Sequence, residues 1–162
     1  MCVFGLLGIA NLRCNGRPAA PADATKVGWF TLIVIMIVGS GIDLAEIGRL
    51  RQSIDRYGPR FLNRIYTAAE QAYCLRKRNS AESFAARFAA KEAGAKALGT
   101  GISQGVGWLE IEVMRQRGGR PTLQLHGRAA QIAAHLGVVR IALSITHTAD
   151  LAMASVVLED AS

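Results

Sequence analysis

Cysteine is scarce in this chain: Cys2, Cys14 and Cys74 are the only three in 162 residues, an odd number without a C-x-x-C pair. That argues against a disulfide framework and a zinc site, and it fits a reducing, cytoplasmic setting with Cys74 as a small buried side chain on a helix. Aromatic residues make up only 6%. They do not interleave with the basic residues, and no nucleic-acid-binding motif is present, so nucleic acid is not expected as a partner. Long apolar runs are also missing. Met1–Leu12 lacks the basic segment of a secretory signal. Trp29–Val38 spans half of the roughly 20 residues a membrane helix needs, and its β-branched content suits a buried strand, so no membrane span is expected. There is no G-x-x-x-x-G-K-[ST], no third glycine to complete a dinucleotide fingerprint, no H-E-x-x-H and no G-x-S-x-G. Acidic residues number 12 against 19 basic ones, a net charge of +7. That excess predicts an acidic partner.

What is present is a globular composition, 51% hydrophobic and 19% charged, in a length suited to one domain. Asn11–Val27 reads as a linker, so residues 1–35 form an N-terminal extension and residues 36–162 the domain, with Met36 an alternative start. After the strand, Gly39–Asp43 reads as a tight turn. Leu44, Ile47, Leu50, Ile54 and Tyr57 then fall at helical spacing, with Gly58-Pro59 as the stop. Thr67 and Glu70 have capping-box spacing at the head of a second helix. A third begins near Ser80 or Ser83 and ends at Gly99-Thr100-Gly101. Trp108–Val113 and Arg120–Leu125 alternate around Gly118-Gly119, a hairpin signal. A short helix over Gly127–Leu136 precedes a strand with Val139, Ile141, Leu143 and Ile145 on one face, and Leu151–Leu158 returns. Helices grouped early and antiparallel strands grouped late predict an α+β domain, helices packed on an antiparallel sheet.

Several polar residues stand out from the core pattern, each with two readings. Asp43 either faces a ligand from the end of the strand or caps the next helix. Glu92 and Lys96 form either a surface i,i+4 pair or, beside the small Ala85 and Ala89, a carboxylate and a cation open to a ligand. Two carboxylates together would suit Mg²⁺, which takes one or two of them with waters and phosphate oxygens. His147, in Ser144-Ile-Thr-His-Thr148, is either structural or a binding residue. Arginines 49, 51, 56, 60 and 64 face one acid, Asp55, and such a one-signed surface calls for an acidic protein partner.

Taken in order, Gly39-x-Gly41-x-Asp43, Phe61-x-x-Arg64-x-x-Thr67-x-x-Glu70, Arg87-Phe-Ala-Ala-Lys-Glu-Ala-x-x-Lys-Ala-Leu-Gly-Thr-Gly101, Gly119-Arg-Pro121 and Ser144-Ile-Thr-His-Thr148 resemble the holo-[acyl-carrier-protein] synthases, the short bacterial 4′-phosphopantetheinyl transferases. The resemblance implies transfer of 4′-phosphopantetheine from coenzyme A to a serine of apo-acyl carrier protein, releasing 3′,5′-ADP in support of fatty acid biosynthesis. It places Mg²⁺ on Asp43 and Glu92, Lys96 on the transferred phosphate, and coenzyme A on Arg87, Lys96, Ser144, His147 and Thr148. One of Arg76–Arg78 would reach the ribose phosphate. Arg49, Arg56 and Arg60 would dock the acidic carrier. A homotrimer with shared sites is also implied. The alternative is a non-catalytic basic adaptor for carrier proteins.

Overall fold

The structure, a computed structural model, describes residues 36–102 and 105–161. The extension 1–35 and most of the Trp29–Val38 run lie outside them. The order of elements is β1 (Ile37–Glu46), α1 (Ile47–Ile65), α2 (Ala68–Leu75), α3 (Ser80–Ala97), a 3₁₀ turn (Trp108–Glu110), β2 (Ile111–Arg115), β3 (Pro121–Leu125), α4 (Gly127–His135), β4 (Val138–His147) and β5 (Leu151–Asp160). β1, β5 and β4 form an antiparallel sheet in that order, and β2–β3 form a separate hairpin. The α+β expectation holds.

Some local readings change: the strand expected from Trp108 begins only at Ile111, after the 3₁₀ turn. Gly39–Asp43 is not a turn: β1 runs through it to Glu46, so Asp43 sits mid-strand opposite Ala154 and does not cap α1. Both glycines pack on α3, where a Cβ at Gly39 would meet Ala97 O and one at Gly41 would meet Ala93 O. As expected, Gly58-Pro59 ends the first helical stretch of α1. Gly58 adopts φ 51°, ψ −134°, a kink that glycine tolerates, and Pro59 opens the next helical stretch, which runs on to Ile65. Finally, Val139 is exposed while Ile141, Leu143 and Ile145 are half-buried, because the β4–β5 register slips between Val138 and Arg140 and reverses the alternation.

Helix α3 is the centre of the fold. It starts with the Asn79 side chain accepting from Glu82 N, and it is buried on nearly every side. Alanines 85, 89, 90, 93 and 95 on the helix and Ala152 and Ala154 on β5 are fully enclosed, so sheet and helix approach closely. On the opposite side Gly94 admits Leu123 and Ile111 of the hairpin.

Lys91 is the most deeply buried charged side chain among the described residues. It is fully buried, donates to Trp108 O at 2.9 Å and Ile111 O at 2.7 Å, and pairs with Glu70 at 2.7 Å. Glu70 in turn accepts from Thr67 N, completing the predicted capping box, and from Val113 N. Burial pushes the Lys91 ammonium below its ordinary pKa, and the Glu70 carboxylate opposes that shift. Lys91→Met would strand the Glu70 carboxylate, at an expected cost of about 3–5 kcal/mol. Urea unfolding checks this figure. Cys74 is buried as expected, and burial raises its thiol to about 11, leaving it protonated at neutral pH.

Candidate active site

Two of the grooves beside α3 hold candidate site residues. The first, of about 570 Å³, is bordered by Arg64, Glu92, Lys96, Ile102, Val106 and Trp108. Asp43 reaches its edge from β1: the Lys96 ammonium donates to Asp43 Oδ1 at 2.7 Å and to Ile42 O at 3.2 Å. The pair is not buried, with side-chain exposures of 49% for Lys96 and 16% for Asp43, so it contributes little to stability. Glu92, one turn before Lys96, has its carboxyl pushed up, chiefly by desolvation and then by the charge of Asp43, with Lys96 pulling the other way. Repulsion between two carboxylates is what a cation relieves. The donor set fits a hard divalent ion, because Mg²⁺ needs only one or two carboxylates when phosphate oxygens and water complete its shell. No cluster of three His, Cys, Asp or Glu residues that could hold a metal occurs among the described residues.

The second groove, of about 260 Å³, includes Tyr73, Glu82, Arg87, Arg115, Pro121 and His147. Arg87 lies 4.0 Å above the Tyr73 ring, with Lys77 and Arg115 at 4.7 and 5.2 Å. Burial would raise the Tyr73 phenol, but a hydrogen bond with Lys77 and the charges of Arg115, Lys77 and Arg87 outweigh it and hold the phenol below its ordinary range. Arg87 is 7% exposed, and its Nε is buried without a hydrogen-bond partner. A buried unpaired donor among cations marks a place for an anion. His147 Nε2 lies 3.1 Å from Glu82 Oε1.

The fold therefore brings Asp43, Glu92 and Lys96 together at one groove, and Arg87 with His147 at the other. It does not bring Ser144 or Thr148 to either within one chain. Ser144 is exposed on the opposite face of the sheet from His147, because their positions differ by an odd number along β4. The Thr148 hydroxyl accepts from Asp150 N and Leu151 N in the β4–β5 turn. Of Arg76–Arg78, Lys77 is the one against Tyr73. Arg49, Arg56 and Arg60 are all exposed on α1.

Four contributors went unassigned in the sequence. Arg64 was only one of a run, and Tyr73, Glu82 and Arg115 come from separate elements. A single clue was available for Arg115, its place at the end of β2 beside the hairpin turn.

Residues 39–155 match the model of the 4′-phosphopantetheinyl transferase superfamily. A holo-[acyl-carrier-protein] synthase from Solibacter usitatus is 61% identical over 125 residues, 77% of this chain and 100% of that one. The chain belongs to the holo-[acyl-carrier-protein] synthase family of the 4′-phosphopantetheinyl transferases. As a member it is a transferase. The fold agrees: the crystal structure of the holo-[acyl-carrier-protein] synthase from Neisseria meningitidis superposes with a TM-score of 0.71 at 32% identity, covering 77% of this chain and 100% of that one. The Bacillus anthracis synthase, solved in complex with CoA (3′,5′-ADP), superposes at 0.64 with 38% identity, covering 78% and 99%.

Proposed function

We propose that this synthase transfers the 4′-phosphopantetheine group of coenzyme A to a serine of apo-acyl carrier protein, with Mg²⁺ held by Asp43 and Glu92, and that it serves fatty acid biosynthesis in the cytoplasm. The observation that carries the reading is the convergence of Asp43, Glu92 and Lys96 at one groove, while the helix bearing Glu92 and Lys96 also carries Arg87 into a second, cationic one. In the balanced step, the serine Oγ forms a bond to the phosphorus bearing pantetheine. The pyrophosphate P–O bond breaks, 3′,5′-ADP leaves with the electron pair, and the serine proton is released to a base. Such a reaction asks mainly for positioning and charge neutralisation. When bound, the cation supplies Lewis-acid neutralisation of the pyrophosphate. Asp43 holds the Lys96 ammonium in place to offset phosphoryl charge. Arg87, Lys77 and His147 bind the nucleotide end, with the unpaired Arg87 Nε available to a phosphate oxygen.

Two features support the assembly and the partner. Among the described residues the outer face of the sheet is uncovered, with Ile42 and Leu44 exposed by 56% and 59% and Ser144 on the same face. We assign this face to a homotrimer interface, which would bring Ser144 beside a neighbouring subunit's site. Ile42→Asp is then expected to yield inactive monomers in analytical ultracentrifugation, and an active monomer would refute the shared site. Arg49, Arg56 and Arg60 form the docking face for the carrier. Changing all three to alanine should raise KM for the carrier about tenfold or more, flatten its salt dependence and leave kcat nearly unchanged.

The deciding experiment is the intact mass of an apo-acyl carrier protein after incubation with this protein, coenzyme A and Mg²⁺. A gain of one phosphopantetheine, abolished by EDTA, supports the reading. Binding without any mass gain would favour the adaptor alternative.

A further inference from the structure

We infer that Lys91 is a positioning residue for the transfer: by tying α3 to Glu70 and to the carbonyls of Trp108 and Ile111, it sets the direction in which Glu92 enters the groove. The inference rests on the reading of Glu92 as a ligand of the divalent cation.

A buried ion pair at this point is not required for stability, since well-packed apolar residues often replace both partners of such a pair at no loss. What an apolar side chain would not provide is direction. Helix α3 meets the sheet and hairpin through alanines and Gly94, so it has few large side chains to lock its rotation about its own axis. The Lys91 ammonium supplies that lock with three acceptors from two other segments: Glu70 at the head of α2, and the Trp108 and Ile111 carbonyls where the 3₁₀ turn enters β2. Glu92 is the next residue, about 100° further around the helix.

A helix with side chains is about 10–12 Å across, so a roll of about 10° moves a carboxylate on its surface by about 1 Å. A misplacement of that size costs up to about 10²-fold in rate. The same lysine also fixes the far wall of the groove. Trp108, whose carbonyl it takes, borders the groove with Glu92 and packs its ring 4.8 Å from Phe88 of α3.

The test uses the full chain carrying Lys91→Met together with Glu70→Gln, which removes the pair without leaving a lone charge. Unfolding curves first establish that the variant folds. Steady-state kinetics with apo-carrier and titration of Mn²⁺ followed by electron paramagnetic resonance then separate positioning from mere support. The expected result is a cooperatively folded protein with kcat lowered about 10–100-fold, KM for the carrier within about twofold of wild type, and Mn²⁺ affinity weakened about tenfold. A folded variant with wild-type kcat and Mn²⁺ affinity overturns the inference. Should the double variant not fold, Lys91→Met with Glu70→Leu, an apolar replacement of the whole pair, gives the same decision, with a kcat loss of about fivefold or more expected and a wild-type value refuting it. Glu92→Gln, measured alongside, distinguishes the two failures. If it abolishes transfer while the Lys91 variant is unaffected, only the positioning role falls. If it too keeps wild-type kcat, the assignment of Glu92 falls, and the positioning role with it.

Discussion

Alanine at Asp43 or at Glu92 is expected to lower kcat for carrier modification by about 10³-fold or more, with little change in thermal stability. The stability half follows from exposure. Asp43 and Lys96 form a pair open to solvent, worth no more than about 1 kcal/mol, and the Glu92 carboxyl is not comfortable where it is, since burial and Asp43 both work against its charge. Residues held at some cost to folding are kept for what they bind. The rate half follows from the chemistry. Pyrophosphate cleavage builds charge between the bridging and leaving oxygens, and the cation that two carboxylates would hold neutralises it.

Conservative substitutions sort the roles. Asp43→Asn keeps a hydrogen-bond acceptor for Lys96 but loses the charge. If Asp43 served only to hold Lys96, this variant would stay within a few-fold of wild type and bind Mn²⁺ normally. A loss as deep as that of Asp43→Ala, with Mn²⁺ binding gone, identifies the carboxylate as a metal ligand. Glu92→Gln has no Lys96 bond to lose, so it reports the metal role alone.

How much of this was legible beforehand differs from element to element, and the physics explains the differences. The capping box at Thr67 and the helix ending at Gly99 were readable because their causes are local. The G-x-G segment was misread as a turn because its cause is remote: the glycines answer to the backbone of α3, more than 50 residues away. The pairing of Lys91 with Glu70 is not legible in the sequence for a related reason. Glu70 already had a local explanation in the capping box, and nothing nearby in sequence showed that its carboxylate also receives Lys91 and Val113 N. Asp43, Glu92 and Lys96 were flagged, but their convergence came from the family resemblance, since no periodicity relates a strand residue to a helix half a domain later. Ser144 and His147 were grouped by adjacency, whereas strand alternation sends them to opposite faces. The register slip that turned Val139 outward left no mark in the composition of the strand.

Gly41→Ala is expected to be the most damaging single methyl in the domain, destabilising it by about 3 kcal/mol or more and lowering the unfolding midpoint by about 10 °C. The added Cβ would press on Ala93 O, 2.7 Å from Ala97 N and 3.0 Å from Lys96 Cβ. Two of these three are backbone atoms of a hydrogen-bonded helix, which cannot turn aside as a side chain can. Relief requires α3 to move away from β1, and that movement has a catalytic consequence. Lys96 reaches Asp43 at 2.7 Å only because strand and helix backbones are this close, so separating them pulls apart the groups the site unites. Activity per folded molecule should therefore fall along with stability. Gly48→Ala is the control, since nothing lies within 4 Å of its new methyl, and it should be neutral or slightly stabilising. If Gly41→Ala instead folded with wild-type stability and turnover, the glycine would not be what holds β1 against α3. The confirming outcome gives the G-x-G-x-D pattern a physical meaning: two residues without side chains let the strand settle on the helix, and the third sends its carboxylate toward the lysine and glutamate the helix presents.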